Sequence, residues 1–192
     1  MGLMIRANLG LDPWDAFHQG IATHVPWSFG VVTIVVGAAV LLLWIPLRQR
    51  PGLGTLSNVV VVGVAVDAAL WALPTMTWLP GRWTFLIAGI VLNGIAGGCY
   101  IGAGLGPGPR DGLMTGLVAK TGGSVRVIRT GIELGVLAIG WLLGGTVGIG
   151  TILYAISIGP VVHVTLPLLT VPSGTTSTTQ GSADDGGLAA AA

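Results

Sequence analysis

Two stretches constrain this chain more than anything else in it. GLDPWDAFHQG begins at Gly10 and GPGPRDGLMTG begins at Gly106, 96 residues later. Each runs Gly, two residues, Pro, one residue, Asp, and reaches another Gly five positions after the Asp. Holding the same spacing, Ser28 falls on Ser124, GLGT (Gly52–Thr55) on GIGT (Gly148–Thr151), and Gly63 on Gly159. No gap is needed over about sixty residues, and roughly a quarter of the aligned pairs are identical, which is the signature of an internal duplication. Whatever one half folds into, the other half must fold into as well.

What each half can be follows from its polarity. Only 8% of the 192 residues are charged, against 52% apolar, whereas a soluble domain carries about 25% charged residues. A wetted surface cannot be made from this composition, so the expected class is an all-α, polytopic membrane protein. Its partner is then the lipid bilayer. A formal net charge of +1 gives no reason to expect a nucleic acid. One cysteine, Cys99, allows neither an intrachain disulfide nor a thiolate metal site. The start, MGLMIRANLG, lacks the apolar run and cleavage site of a signal peptide.

Four stretches are long and apolar enough to be read as spans: Phe29–Leu47, Leu56–Leu73, Trp83–Ala103 and Val127–Leu143. A fifth, Ile149–Leu169, is interrupted by Pro160 and Pro167. Trp27, Trp44, Trp71, Trp78, Trp83 and Trp141 lie near span ends, where an aromatic belt is expected. The stretches after the two turns, Asp15–His24 and Asp111–Lys120, are too short to span and read as re-entrant or interfacial helices. The chain therefore divides into a first unit (1–80), a second unit (81–172) and a polar, alanine-ended disordered tail (173–192). The second unit opens with a spanning helix. The first has only MGLMIRA before its turn, so the duplication predicts an opening helix that a late or truncated start has removed. Three spans per unit is an odd number, so the two units should be inverted. The basic residues agree: inversion puts Arg48, Arg50, Arg110, Lys120, Arg126 and Arg129 on the cytoplasmic side and leaves Arg6 and Arg82 outside. Residues 48–50 and 110–126 should then face the cytoplasm, and 75–82 should face outward. Inverted units with short broken helices between them are a transporter plan.

Candidate site residues come from the turns and from ionisable groups at membrane depth. Asp12 suits a helix cap, Pro13 the first helical position, and Asp15 the first turn, where the helix dipole favours an acid. Pro109 and Asp111 repeat this, with Gly108 in place of the capping Asp. Both Asp15 and Asp111 can be caps, or can belong to two helix ends that converge on a small solute or ion. Intramembrane ionisable residues are expensive and are functional candidates by default. These are Asp67, its repeat counterpart His163, and Glu133, four residues after Arg129 and so on the same helical face. The alternative is structural: Arg126 and Arg129 hold the helix at the headgroups and Glu133 neutralises Arg129. His18 and His24 lack metal-ligand spacing and read as interfacial histidines, so no metal and no cofactor is expected. GAGLGPGP is not followed by the Lys-Ser/Thr of a phosphate loop. The pairs Gly94/Gly98 and Gly131/Gly135 are spaced for close helix packing. No Ser-His-Asp, H-E-x-x-H or paired-acid motif is present, so an enzyme is unsupported.

MIRANLGLDPWDAFHQGIA, PGLGTLSNV, GLGPGPRDGLMTGL and VRVIRTGIELGVLAIGWLLGGTVGIGT, in that order, resemble the YczE/YitT-type family of bacterial integral membrane proteins. The resemblance covers nearly everything before the tail. It implies a multi-pass protein of the bacterial cytoplasmic (inner) membrane, with an opening helix ahead of MIRANLG. It implies no reaction and no catalytic residues. Two functions remain: a small transporter or permease, in which polar groups of both units meet in a cavity, or an accessory membrane protein with a packed interior that assists a partner enzyme or transporter. Neither substrate, coupling ion nor oligomeric state is written in these motifs.

Overall fold

The computed structural model describes residues 1–102 and 106–169; the expected tail lies outside the described residues. The chain is all-helical there: α1 (Gly2–Ala7), α2 (Pro13–Ala22), α3 (Phe29–Trp44), α4 (Leu53–Ala72), α5 (Leu79–Gly102), α6 (Pro109–Thr121), α7 (Val125–Leu142) and α8 (Ile149–Leu169). Helices α2, α3 and α4 begin 96 residues before α6, α7 and α8, respectively. At the same spacing, α1 falls on the last turns of α5.

The matched starts have matched causes. Asp12 Oδ1 accepts from the Asp15 N–H at 2.8 Å, and Pro13, lacking a donor, opens α2 at no cost in hydrogen bonds. Pro109 opens α6 in the same way. Ser28 Oγ caps α3 through the Val31 N–H at 3.2 Å. Thr55 Oγ1 accepts from the Gly52 N–H, and Thr151 Oγ1 from the Gly148 N–H, both at 3.2 Å. Both turns need glycine at their first residue, where φ is 127° at Gly10 and 116° at Gly106, values that disfavour any side chain.

The packing is reciprocal. The short helix α2 lies against α7, and the short helix α6 lies against α3. Each turn is seated on the other half's G-x-G-T segment. Gly150 N donates to Leu9 O at 2.8 Å, and Leu11 N to Thr146 O at 3.1 Å. In the other direction, Thr55 Oγ1 donates to Pro107 O at 2.7 Å. A core of Met4, Ala7, Leu11, Ala16, Leu86 and Ile90 joins α1, α2 and α5.

Polarity runs inside out. Asp12, Asp15, His18, Thr33, Thr55 and Thr151 are buried, while Leu53, Trp71 and Leu142 are each more than 80% exposed. By length and composition, Leu53–Ala72 and Leu79–Tyr100 can cross a membrane, and only 22% and 28% of their apolar windows are buried. Helix α3 has 16 residues, about 24 Å at 1.5 Å per residue, short of the ~30 Å hydrocarbon core.

Several expectations change. Helix α5 starts at Leu79, before Trp83, and α8 runs unbroken through Pro160 and Pro167; a proline deletes one donor without ending a helix whose neighbouring turns stay bonded. Trp44 is no interfacial anchor. It is 1% exposed, donates from Nε1 to Pro109 O at 3.1 Å, and covers Gly112, where a Cβ would strike the indole. Trp27, Trp71, Trp78 and Trp141 are exposed as a belt requires. Gly94 does seat a neighbour, Val161 of α8. A Cβ at Gly131 or Gly135 would have nothing within 4 Å, so these two glycines serve no helix contact among the described residues.

Candidate functional site

A cavity of about 630 Å³ opens between the two halves. Its walls come in pairs at the 96-residue spacing: Trp14 and Arg110, His18 and Met114, Thr33 and Arg129, Val36 and Ile132, Gly37 and Glu133, Asn58 and Tyr154, Val59 and Ala155, Val62 and Ile158. The members of the first pair meet, with the Arg110 guanidinium carbon 5.2 Å from the Trp14 ring centroid. Asn93, Tyr100, Asp12 and Asp111 complete the polar lining. Asn93 Nδ2 donates to the Tyr154 hydroxyl at 2.8 Å.

The turns place the charges. Helix α2 begins at the cavity, so Asp12 borders it and Asp15, one turn in, lies directly behind. Arg110 reaches across from the first turn of α6 and sits 3.9 Å from Asp12 Oδ1 and 3.8 Å from Asp15 Oδ1. These are ion-pair distances without hydrogen bonds. Asp15 is fully buried, and both its carboxylate oxygens lack a hydrogen-bond partner. His18 Nδ1, buried 3.8 Å from Asp15 Oδ1, also lacks one. Burial, reinforced by the neighbouring Asp15, pushes the Asp12 carboxyl up to about 6, against the pull of Arg110. On α7, Arg129 Nε pairs with Glu133 Oε1 at 3.2 Å, as the four-residue spacing predicts. The second turn is held by three side chains: Tyr100 Oη donates to Gly106 O at 2.9 Å, beside the Thr55 and Trp44 bonds to Pro107 and Pro109.

Of the residues singled out in the sequence, Asp111, Arg129 and Glu133 line the cavity, and Asp15 touches it through Arg110. Asp67 does not. It accepts from Ser28 Oγ and from the Gly30 N–H at 2.7 Å, tying α4 to the start of α3. His163 is exposed on α8 and is not part of the lining, although its neighbour Val162 is. Arg110, counted in the sequence among the basic residues of the cytoplasmic side, faces two buried aspartates. His18 is not interfacial but buried in the wall, with its ring edge-on to Phe29 of α3 at 6.0 Å between centroids; its position four residues before the α2 end gives no sign of this. Motif reading misses Asn58, Asn93 and Tyr154. Asn58 and Tyr154 carry a signal in hindsight, since they are a polar pair at the 96-residue spacing within apolar runs.

Comparison with known proteins agrees with the motif reading. A protein of Haemophilus influenzae is 40% identical over 168 residues, covering 88% of this chain and 77% of that protein, and is described only as uncharacterised. A Bacillus subtilis protein described as the uncharacterised membrane protein YczE is 39% identical over 160 residues, covering 83% of this chain and 74% of its own length. A second Bacillus subtilis protein, the uncharacterised YyaS, is 24% identical over 173 residues, covering 88% of this chain and 86% of its own length. No solved structure matches. The YczE-type resemblance read from the motifs is thus matched by sequence identity along most of the chain, and a membrane location agrees with the description of that relative. The model of DUF6198, a family of unknown function, matches residues 1–167, and the chain belongs to that family.

Proposed function

We propose that this protein is a multi-pass protein of the bacterial cytoplasmic membrane, built as two inverted units, and that it moves a small solute through the cavity between them. The observation that carries this reading is the pairing of the cavity walls at the repeat spacing: a cavity on a pseudo-twofold axis is where an inverted-repeat transporter holds its solute. The inside-out polarity supports lipid as the solvent. So does the description of the YczE relative as a membrane protein. With Arg110 and Arg129 assigned to the cavity, the basic residues at helix ends still favour inversion: Arg48, Arg50, Lys120 and Arg126 on one side, Arg6 and Arg82 on the other. Those last two are engaged with backbone carbonyls, Arg6 with Leu70 and Arg82 with Ala7 and Asn8. An accessory protein with a packed interior has no use for an open, charged chamber of this size.

The test is access. In a Cys99→Ser background, Ala155→Cys should react with a membrane-impermeant thiol reagent added from either side of the membrane, because a transporter exposes its chamber alternately. Reaction from neither side would remove the reading.

A further inference from the structure

Counting side chains, the cavity and the residues directly behind it carry more acid than base. The side-chain cations that Asp12, Asp15, Asp111 and Glu133 face are Arg110 and Arg129, with Met1, the first residue, also in the lining and His18 3.8 Å from Asp15. Both cations are committed: Arg110 to the Asp12–Asp15 pair, with its guanidinium over Trp14, and Arg129 to Glu133. Asp111 has no cation within 4 Å among the described residues, and it is exposed to the chamber. A second observation points the same way. The carboxylate oxygens of Asp15 and Nδ1 of His18, a residue of the wall, are buried without hydrogen-bond partners, so polar atoms in and behind this wall are left without the hydrogen bonds they could make. Uncompensated charge at membrane depth is expensive, and a cation that enters the chamber relieves it.

The rest of the wall describes that cation. Val36, Val40, Val59, Val62, Ile132 and Ile158 are apolar, which suits a hydrocarbon body better than a hydrated metal ion, whose ligands would be oxygens on all sides. Tyr100, ahead of the second turn, and Tyr154 also line the chamber, and aromatic rings are a residue type that attracts organic cations. A chamber of about 630 Å³ falls in the range of sites for drug-sized molecules. We propose, building on the transport reading above, that the cavity takes a small organic cation, an ammonium or guanidinium group on an apolar body, with Asp111 as its counter-charge.

Tetrapropylammonium is a suitable probe, with pentanesulfonate as the anionic match and sodium chloride as the inorganic control. With purified protein in nanodiscs, tetrapropylammonium should bind saturably and the other two should not. Asp111→Asn should weaken binding about tenfold or more, the scale of one lost charge-assisted contact, and Asp111→Glu should retain it. Should Asp111→Asn fail to fold, protection of Ala155→Cys from labelling by tetrapropylammonium reports occupancy with Asp111 intact. Absence of saturable ammonium binding to folded protein, equal binding by Asp111→Asn, or binding of the sulfonate instead would each overturn the proposal. If Ala155→Cys labels from both sides while no ammonium binds, the substrate class alone is wrong; if it labels from neither side, the transport reading falls with it.

Discussion

At the scale of single residues, the two turns hold the same side chains in unequal jobs. Thr55 and Thr151 occupy the same repeat position and accept the same N–H bond, but Thr55 also donates to Pro107 O at 2.7 Å in the opposite half. Thr55→Val should therefore destabilise the protein more than Thr151→Val. The expected cost is about 2 kcal/mol at Thr55, where two hydrogen bonds are lost, and about 1 kcal/mol at Thr151, where one is. Thermal unfolding in detergent by intrinsic tryptophan fluorescence measures the order, and an equal or reversed order would contradict the assigned bonds. The aspartates differ in the same way. Asp15 is sealed beneath Arg110, whereas Asp111 faces the chamber. Asp15→Asn should lower stability by leaving Arg110 with less counter-charge. Asp111→Asn should leave stability within about 1 kcal/mol, the size of a lost dipole interaction, and act on binding. Sequence identity at these two positions marks both as special. It does not separate them, because the difference lies in what the other half places against each.

At the scale of elements, the reciprocal seating of α2 on α7 and α6 on α3 links the halves more closely than connection along the chain does. Trp44 at the end of α3 is the clearest case. It fills the space over Gly112 on α6 and donates to Pro109 O. Gly112→Val should push the indole out and cost several kcal/mol, in the range of overpacking a tight contact. Gly131→Val, on the open face of α7, should cost less than about 1 kcal/mol. Comparing the melting temperatures of the two variants checks this, and similar losses would contradict the packing. The helix starts are legible in the sequence because they depend on local chemistry: Pro13 and Pro109 at first helical positions, Ser28 as a cap, and threonine at Thr55 and Thr151. The roles of Trp44 and Arg110 are not legible. Each is set by a partner far away in the chain, and a tryptophan near a span end reads the same whether it meets headgroups or a neighbouring turn.

At the scale of the whole molecule, the duplication, the paired cavity walls and the outward apolar faces are accounted for by the arrangement proposed above. In that arrangement, two copies of one helical unit, facing opposite ways, would exchange their short helices and leave a charged chamber between them. The apolar composition makes a membrane class legible at once, and the 96-residue register recurs in the helix starts at Pro13 and Pro109, Phe29 and Val125, and Leu53 and Ile149. The chamber itself is only an expectation at that level, since periodicity says which faces are apolar and not where two units leave space. Orientation is the claim on which the rest depends. In a Cys99→Ser background, single cysteines at Arg50 and at Thr77 can be labelled in intact cells with an impermeant maleimide, before and after permeabilisation. The inverted arrangement predicts labelling of Thr77→Cys from outside in intact cells and of Arg50→Cys only after permeabilisation. Labelling of both positions from the same side would contradict it, and with it the chamber as a site on a pseudo-twofold axis.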